Sequence, residues 1–139
     1  MKSFTDNNNG TITDNQTGLM WLKNANEAGA MTWKNANEAG AMTWKNAMLW
    51  TKHLTYGQHS DWRLPTRFEL ESLLDYSQFN PALPQGHPFI NVQSSYYWSS
   101  STCAGHTLYA WYVYMFYGNV NYNGKSNVYY VWPVRGGKS

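Results

Sequence analysis

Between Trp111 and Phe116 the chain alternates two sets of large apolar side chains. Trp111, Val113 and Met115 hold the odd positions; Tyr112, Tyr114 and Phe116 hold the even ones. A period of two puts successive side chains on opposite faces of a strand. The fold must therefore accommodate a strand that is bulky on both sides. If the odd set is core, the even set is an aromatic stripe on the other face, either covered by more protein or exposed as a binding patch. The residues that follow favour exposure. Asn119, Asn121, Asn123, Ser126 and Asn127 are polar, and a core would leave that many amides without partners.

The stretch around this strand has one composition throughout. From Ser94 to Trp132, nine Tyr, three Trp, six Ser, four Asn and three Gly fill 25 of 39 positions, and Lys125 is the one formal charge. Antibody paratopes use the same vocabulary: Tyr and Trp give contact area with few rotors to freeze, while Ser, Asn and Gly give adaptable hydrogen bonding. Over all 139 residues, 13% are charged, against about 25% in an average domain. Aromatic residues make up 17%, which excludes a disordered chain. No apolar run approaches the ~18 residues of a membrane span. A net charge of +2 gives no electrostatic reason to expect a nucleic-acid partner. Cys103 is alone, so no intrachain disulfide and no cysteine-based zinc cluster is expected. Residues 1–6 lack the apolar stretch of a secretory signal, so either the protein is not exported by that route or such a segment has been removed.

The remaining elements read as an α+β domain. Gly10 to Asp14 and Gly18 to Leu22 form two short strands around a turn. Thr43 caps a helix over 44–55, with Trp44, Ala47, Met48 and Thr51 on one face and Gly57 beyond its end. Thr66 and Glu69 make a capping box for a second helix over 67–76, whose buried stripe is Leu70, Leu73 and Leu74. Residues 77–93, with Pro81, Pro84, Gly86 and Pro88, read as an irregular loop. Strands follow at 96–101, 109–117 and 128–134, with a turn at Gly118 and a two-residue hairpin signal at Asn123-Gly124. Two helices followed by an antiparallel meander fit an α+β class with a small, mostly antiparallel sheet.

Residues 24–34 and 35–45 are identical, both reading NANEAGAMTWK. Two copies are too few for a solenoid. Gly29 and Gly40 argue against one continuous helix. One copy is therefore expected to be an inserted loop and the other native structure, and the sequence does not say which is which.

Catalytic constellations are thin. Cys103 and His106 are the best nucleophile–base pair available, with nothing nearby in sequence to orient the histidine. Glu69 and Glu71 point to different faces of their helix. No phosphate-cradling loop or calcium loop is present. Asp61 and Arg63 flank Trp62 and are expected to form an internal ion pair. The chain is thus expected to be a binder and not an enzyme, with no cofactor and no metal.

Several segments together resemble a known family: Gly10 to Asp14, Thr17-Gly18-Leu19-Met20-Trp21, Asp61-Trp62-Arg63-Leu64-Pro65-Thr66, Tyr97-Trp98-Ser99-Ser100-Ser101, Ala110-Trp111-Tyr112-Val113 and Val134-Arg135-Gly136-Gly137. Their order and spacing resemble the Lcl C-terminal domain family, which implies the C-type-lectin-like fold over one domain, residues 1–139. The region 94–135 is similar to the variable proteins of diversity-generating retroelements, in which framework residues alternate with rewritten ones. The resemblance implies a framework of Trp98, Ala110, Trp111, Val113, Gly118, Val120, Lys125, Val131, Val134 and Arg135. It implies ligand-binding positions at Tyr112, Tyr114, Phe116, Tyr117, Asn119, Asn121, Tyr122, Asn123, Ser126, Asn127, Tyr129 and Trp132.

Two departures from the family stand out. Met115 replaces a usual Phe, and Trp132-Pro133 replaces Arg-Pro or Arg-Cys, which adds an aromatic to the expected ligand face. Formylglycine-generating enzymes share the fold but need a cysteine pair, and the acidic and amide motifs of calcium-dependent sugar lectins are absent. The implied function is recognition of a protein or cell-surface ligand, on a cell surface, a secreted protein or a phage particle. Two alternatives stay open: a glycan-binding adhesin, and a structural module whose aromatic face joins a homo-oligomer. Binding energy is expected to centre on Tyr112, Tyr114, Phe116 and Trp132, with Trp98 and Trp111 in the core.

Overall fold

The computed structural model describes residues 2–30 and 40–137. In chain order the elements are β1 (Phe4–Asp6), β2 (Thr11–Asp14), β3 (Leu19–Leu22), α1 (Glu27–Ala30), α2 (Trp44–Lys52), α3 (Arg67–Glu71), β4 (Tyr96–Cys103), β5 (His106–Tyr114), β6 (Asn119–Gly124) and β7 (Val134–Gly136). Two antiparallel sheets form, one in the order β1-β2-β3-β7 and one in the order β4-β5-β6. The chain is therefore mixed α+β. It has three helices among the described residues where the sequence pattern predicts two.

Turn chemistry sets the first sheet. Asp14 and Gly18 close the β2–β3 turn, with Gly18 N–H donating to the Asp14 carbonyl at 2.8 Å and Gly18 at φ +76°. The last strand, β7, lies on β3 with Trp21 opposite Val134. The indole N–H of Trp132 donates to the Leu22 carbonyl at 2.9 Å across 110 residues. The two ends of the chain thus close one sheet.

Both anticipated helices form but stop early. α2 ends at Lys52 after its Thr43 cap. α3 keeps the full Thr66–Glu69 capping box but ends at Glu71, because the following amides tighten to three-residue spacing: Leu73 N–H donates to the Leu70 carbonyl, and Leu74 N–H to that of Glu71. Asp75 N–H then bonds to the Ala82 carbonyl, so the chain leaves the helix to pair with its own loop. The expected hairpin at Asn123-Gly124 is also corrected. Both residues lie inside β6, paired with Ala110 and Tyr109. The β5–β6 turn is at 115–118, where Gly118 N–H donates to the Tyr114 carbonyl at 2.7 Å and Gly118 takes φ +86°. The chain reverses at the one glycine that can adopt that conformation there without strain.

The anticipated strand over 128–134 is split. Tyr129 exchanges both backbone hydrogen bonds with Met42. Tyr130 bonds to Tyr96 and Trp98, and only Val134 begins the closing strand. Asp61 and Arg63 do not pair with each other. Arg63 makes a fork on Glu69 at 2.7 and 2.8 Å, and Asp61 receives Arg135 at 2.6 and 3.1 Å.

The core has two buried clusters. One gathers Ile12, Trp21, Leu70, Tyr97, Val113, Met115 and Trp132; the other gathers Leu22, Met42, Trp50, Trp62, Trp98, Ala110 and Val131. β5 serves both: Val113, with Met115 just beyond the strand, enters the first cluster, and Ala110, from the opposite side of the strand, enters the second.

A tyrosine ribbon on the three-stranded sheet

Cross-strand register decides which residues share a face. Tyr112 stands opposite Asn121 on one side and Trp98 on the other; Tyr114 stands opposite Asn119 and Tyr96; Ala110 stands opposite Asn123. Opposed residues of antiparallel strands point the same way. One face therefore carries Tyr96, Tyr112 and Tyr114 with a row of Asn119, Asn121 and Asn123 beside them. The other face carries Tyr97, Val113 and Val120, with Trp111 opposite Tyr122.

Tyr96 is the hub of the first face. Its ring centroid lies 4.8 Å from that of Tyr112, 4.6 Å from Tyr114 and 5.0 Å from Tyr129. From Tyr114 the chain of rings continues to Phe116 at 6.0 Å and from there to Tyr117 at 4.5 Å. Phe79 stacks on Tyr117 at 6.4 Å. At the other end Tyr129 meets Trp98 at 4.5 Å, where the ribbon enters the core. These are offset and edge-on arrangements within the range that adds to simple burial. Tyr96, Tyr112, Tyr114 and Phe116 are half-buried; Tyr117 and Phe79 are exposed.

The surface carries no formally charged side chain. Burial, reinforced by Tyr129 and Tyr96, pushes the Tyr112 hydroxyl above its ordinary value. Burial does the same to Tyr129, although the Asn123 amide, donating to its oxygen at 2.9 Å, pulls the other way. Lys125, the one cation of the region, is turned away to Thr102 Oγ1 and the Thr107 carbonyl, with its ammonium 4.0 Å from the centre of the Trp44 ring.

The sheet is held in register by the serine run. Between Trp98 and Thr102 the β4–β5 pairing shifts. Ser99 Oγ donates to the Trp111 carbonyl at 2.7 Å and accepts from Ser101 N–H. Ser101 Oγ accepts from Arg67 N–H at the start of α3. A bulge of this kind bends a strand locally; here it ties the ribbon-bearing sheet to α3. Behind it, the buried Tyr97 hydroxyl donates to the Ala25 carbonyl and accepts from Gln93 N–H.

The structure brings most of the sequence-derived ligand residues together: Tyr112, Tyr114, Phe116, Tyr117, Asn119, Asn121 and Asn123 lie along the ribbon and its amide row. Ser126 and Asn127 are exposed in the turn after β6, where Asn127 bonds back to the Gly124 carbonyl. Three residues are corrected. Trp132 is fully buried, edge-on to Trp21 and Phe89; the resemblance places it wrongly among the ligand-binding positions, since residues 131–134 are buried continuously and not on alternate sides. Tyr129 is 9% exposed and supports the ribbon from below. Tyr122 is on the opposite face, stacked on Tyr109 at 5.9 Å and edge-on to Trp111. Trp111, assigned to the core from sequence, is half-buried there under the Arg67 guanidinium at 4.1 Å.

The ribbon also contains residues that the sequence pattern left out. Tyr96 opens the strand and was readable as the partner, two positions before, of buried Trp98. Phe79 comes from the proline-rich loop, which backbone bonds from Asn80 to Phe116 and from Ala82 to Met115 hold against the turn. Nothing local in sequence signals that docking.

Cys103 and His106 are register partners across the β4–β5 turn, but Cys103 is 6% exposed and its thiol faces the Ala104 carbonyl. Among the described residues no cluster of three or more His, Cys, Asp or Glu could hold a metal, and no helix is long and apolar enough to cross a membrane.

The arrangement defines an α+β domain that presents an aromatic and amide surface from a three-stranded sheet. The chain belongs to the Lcl C-terminal domain family, whose sequence model matches residues 10–135. No curated protein matches it.

Proposed function

We propose that this chain is a ligand-binding display domain of the C-type-lectin-like type, similar to the variable proteins of diversity-generating retroelements, and that it is not an enzyme. Its ligand is a protein or another cell-surface molecule. One observation carries the reading: a continuous ribbon of partly exposed tyrosine rings, flanked by asparagines and free of charge, on a sheet whose reverse side is packed. Tyrosine and asparagine at such density are what an adaptable contact surface uses, and partial exposure leaves ring area for a partner to bury. The proposal covers the amide row and Tyr112, Tyr114, Phe116 and Tyr117, with Tyr96 and Phe79 added.

A glycan remains the second reading, since exposed rings such as Tyr117 and Phe79 also stack on sugars. Parallel binding to a glycan array and a panel of cell-surface proteins separates the two. Signals confined to proteins support the first reading, and signals confined to glycans replace it. For whichever probe binds, Tyr114→Ala is expected to weaken binding by about tenfold or more, at a stability cost of about 1–2 kcal/mol for its half-buried ring. Tyr122→Ala, on the other face, is expected to leave affinity within about twofold. Equal affinities for the two variants would remove the ribbon as the site. Diversification itself is tested by sequencing the flanking DNA for a reverse transcriptase and a near-copy template repeat.

A further inference from the structure

Among the described residues, the duplicated segment docks through the first half of one copy and the second half of the other. From the first copy, Asn24 bridges to Ile90 and Ala25 N–H donates to the Ile90 carbonyl, while Ala25 and Ala28 are buried. From the second, Ala41 and Met42 are buried, Thr43 caps α2, and the Trp44 indole donates to the Ser99 carbonyl at 2.9 Å. The two docked halves meet at a glycine pair. Gly29 and Gly40 hold the same position in their respective copies. A Cβ built on Gly40 would stand 2.8 Å from Gly29 N and 3.0 Å from Gly29 Cα. Their α-carbons are thus about as close as consecutive ones in a chain, ~3.8 Å.

We infer that the duplication is a fold-neutral cassette. The chain departs at Gly29 and returns at Gly40, beside its point of departure and at the same point in the repeat. One copy alone, joined at a single glycine, supplies every residue that docks from either copy among the described residues. Neither copy is the native one: the native unit is residues 24–29 followed by 41–45, and copy number changes only what is inserted between them. The insertion point lies two residues before Met42, whose backbone exchanges both hydrogen bonds with Tyr129 at the base of the ribbon. Copy number is therefore expected to leave the core and the Met42–Tyr129 pairing alone. This holds whatever the ribbon binds.

Deleting any eleven consecutive residues within 24–45 gives the same one-copy sequence, so the experiment has a single deletion variant and a single three-copy variant. Loop-closure entropy predicts an asymmetry. Removing the inserted eleven residues altogether saves more than adding another eleven costs, because the closure cost grows only with the logarithm of length. The one-copy protein is expected to melt at the same temperature as this chain or up to about 8 °C higher, and the three-copy protein about 2–3 °C lower. Amide exchange at Met42 and Tyr129 is expected to keep its protection in all three. A one-copy protein that melts more than about 3 °C lower, fails to fold or loses that protection overturns the inference. So does a fall of more than about 8 °C in the three-copy protein.

Discussion

Replacing Trp132 with alanine is expected to destabilise the protein by about 3–5 kcal/mol, the range for emptying a large buried aromatic site. That corresponds to a fall in Tm of more than about 10 °C. The indole is fully buried and its ring meets Trp21, Phe89 and Tyr97 at centroid distances of 5.5, 4.9 and 5.6 Å. Its N–H satisfies the Leu22 carbonyl at the edge of β3, so the variant loses a hydrogen bond as well as volume. Tyr117→Ala supplies the contrast. Its ring is 58% exposed, and its removal is expected to cost on the order of 0.5 kcal/mol. Thermal melts of the two variants check the division between core and surface directly; similar losses would mean that the division is misplaced.

The second large effect is expected at Glu69. Its carboxylate accepts from Thr66 N–H at 2.8 Å, completing the α3 cap, and holds both terminal nitrogens of Arg63. Arg63 in turn donates to the Gly136 carbonyl on β7 at 3.0 Å. One side chain thus links a helix start to the closing strand. Glu69→Ala removes a cap worth about 1 kcal/mol and leaves a half-buried guanidinium with less to bind, so a total loss of about 2–3 kcal/mol is expected.

Burial alone would raise the Glu69 pKa, but the hydrogen bonds from Arg63 and Thr66 and the charge of Arg63 outweigh it and hold the carboxyl below its ordinary value. A lowered folded-state pKa contributes stability that is present above the unfolded value, near ~4.3, and is lost as pH falls through the folded value. The chain is therefore expected to lose stability from about pH 5 downward, and Glu69→Gln to flatten that slope. Some slope remains in the variant, because Asp61, held low by its hydrogen bonds to Arg135, titrates in the same direction. Denaturant midpoints measured at several pH values would show it; an unchanged slope in Glu69→Gln would place the acid sensitivity elsewhere.

Local chemistry made some of this legible in the sequence. The capping box at Thr66–Glu69 and the strand pair at 11–14 and 19–22 are each determined by residues a few positions apart, and the structure contains them. The aromatic face was legible because strand alternation is a strict geometric rule over 110–116. Where alternation stopped being the governing rule, inference failed. Trp132 lies in a stretch that is extended but buried all round. Tyr122 follows a turn whose length sets which face it takes. Had the reversal fallen at Asn123-Gly124, as the dipeptide suggests, β6 as paired here would not exist; tertiary pairing with β5 overrode the local turn signal. Phe79 joined the ribbon through contacts with Phe116 and Tyr117, more than 35 positions away, which no local pattern encodes. The ion pairs were misassigned for the same reason: Arg135 reaches Asp61 from the far end of the chain.

The pairing of β3 with β7 has a consequence during synthesis. The sheet that β1 opens is completed by β7, and Trp132 locks into β3 across 110 residues. Contacts of such sequence separation form late and slowly. A ribosome that stops anywhere within the tyrosine-rich region releases a chain without β7, without Trp132, and with β3 left as an open edge. Open edges of this kind invite aggregation and triage. The closing strand therefore acts as a check on everything encoded before it: only a chain translated through β7 can bury this core.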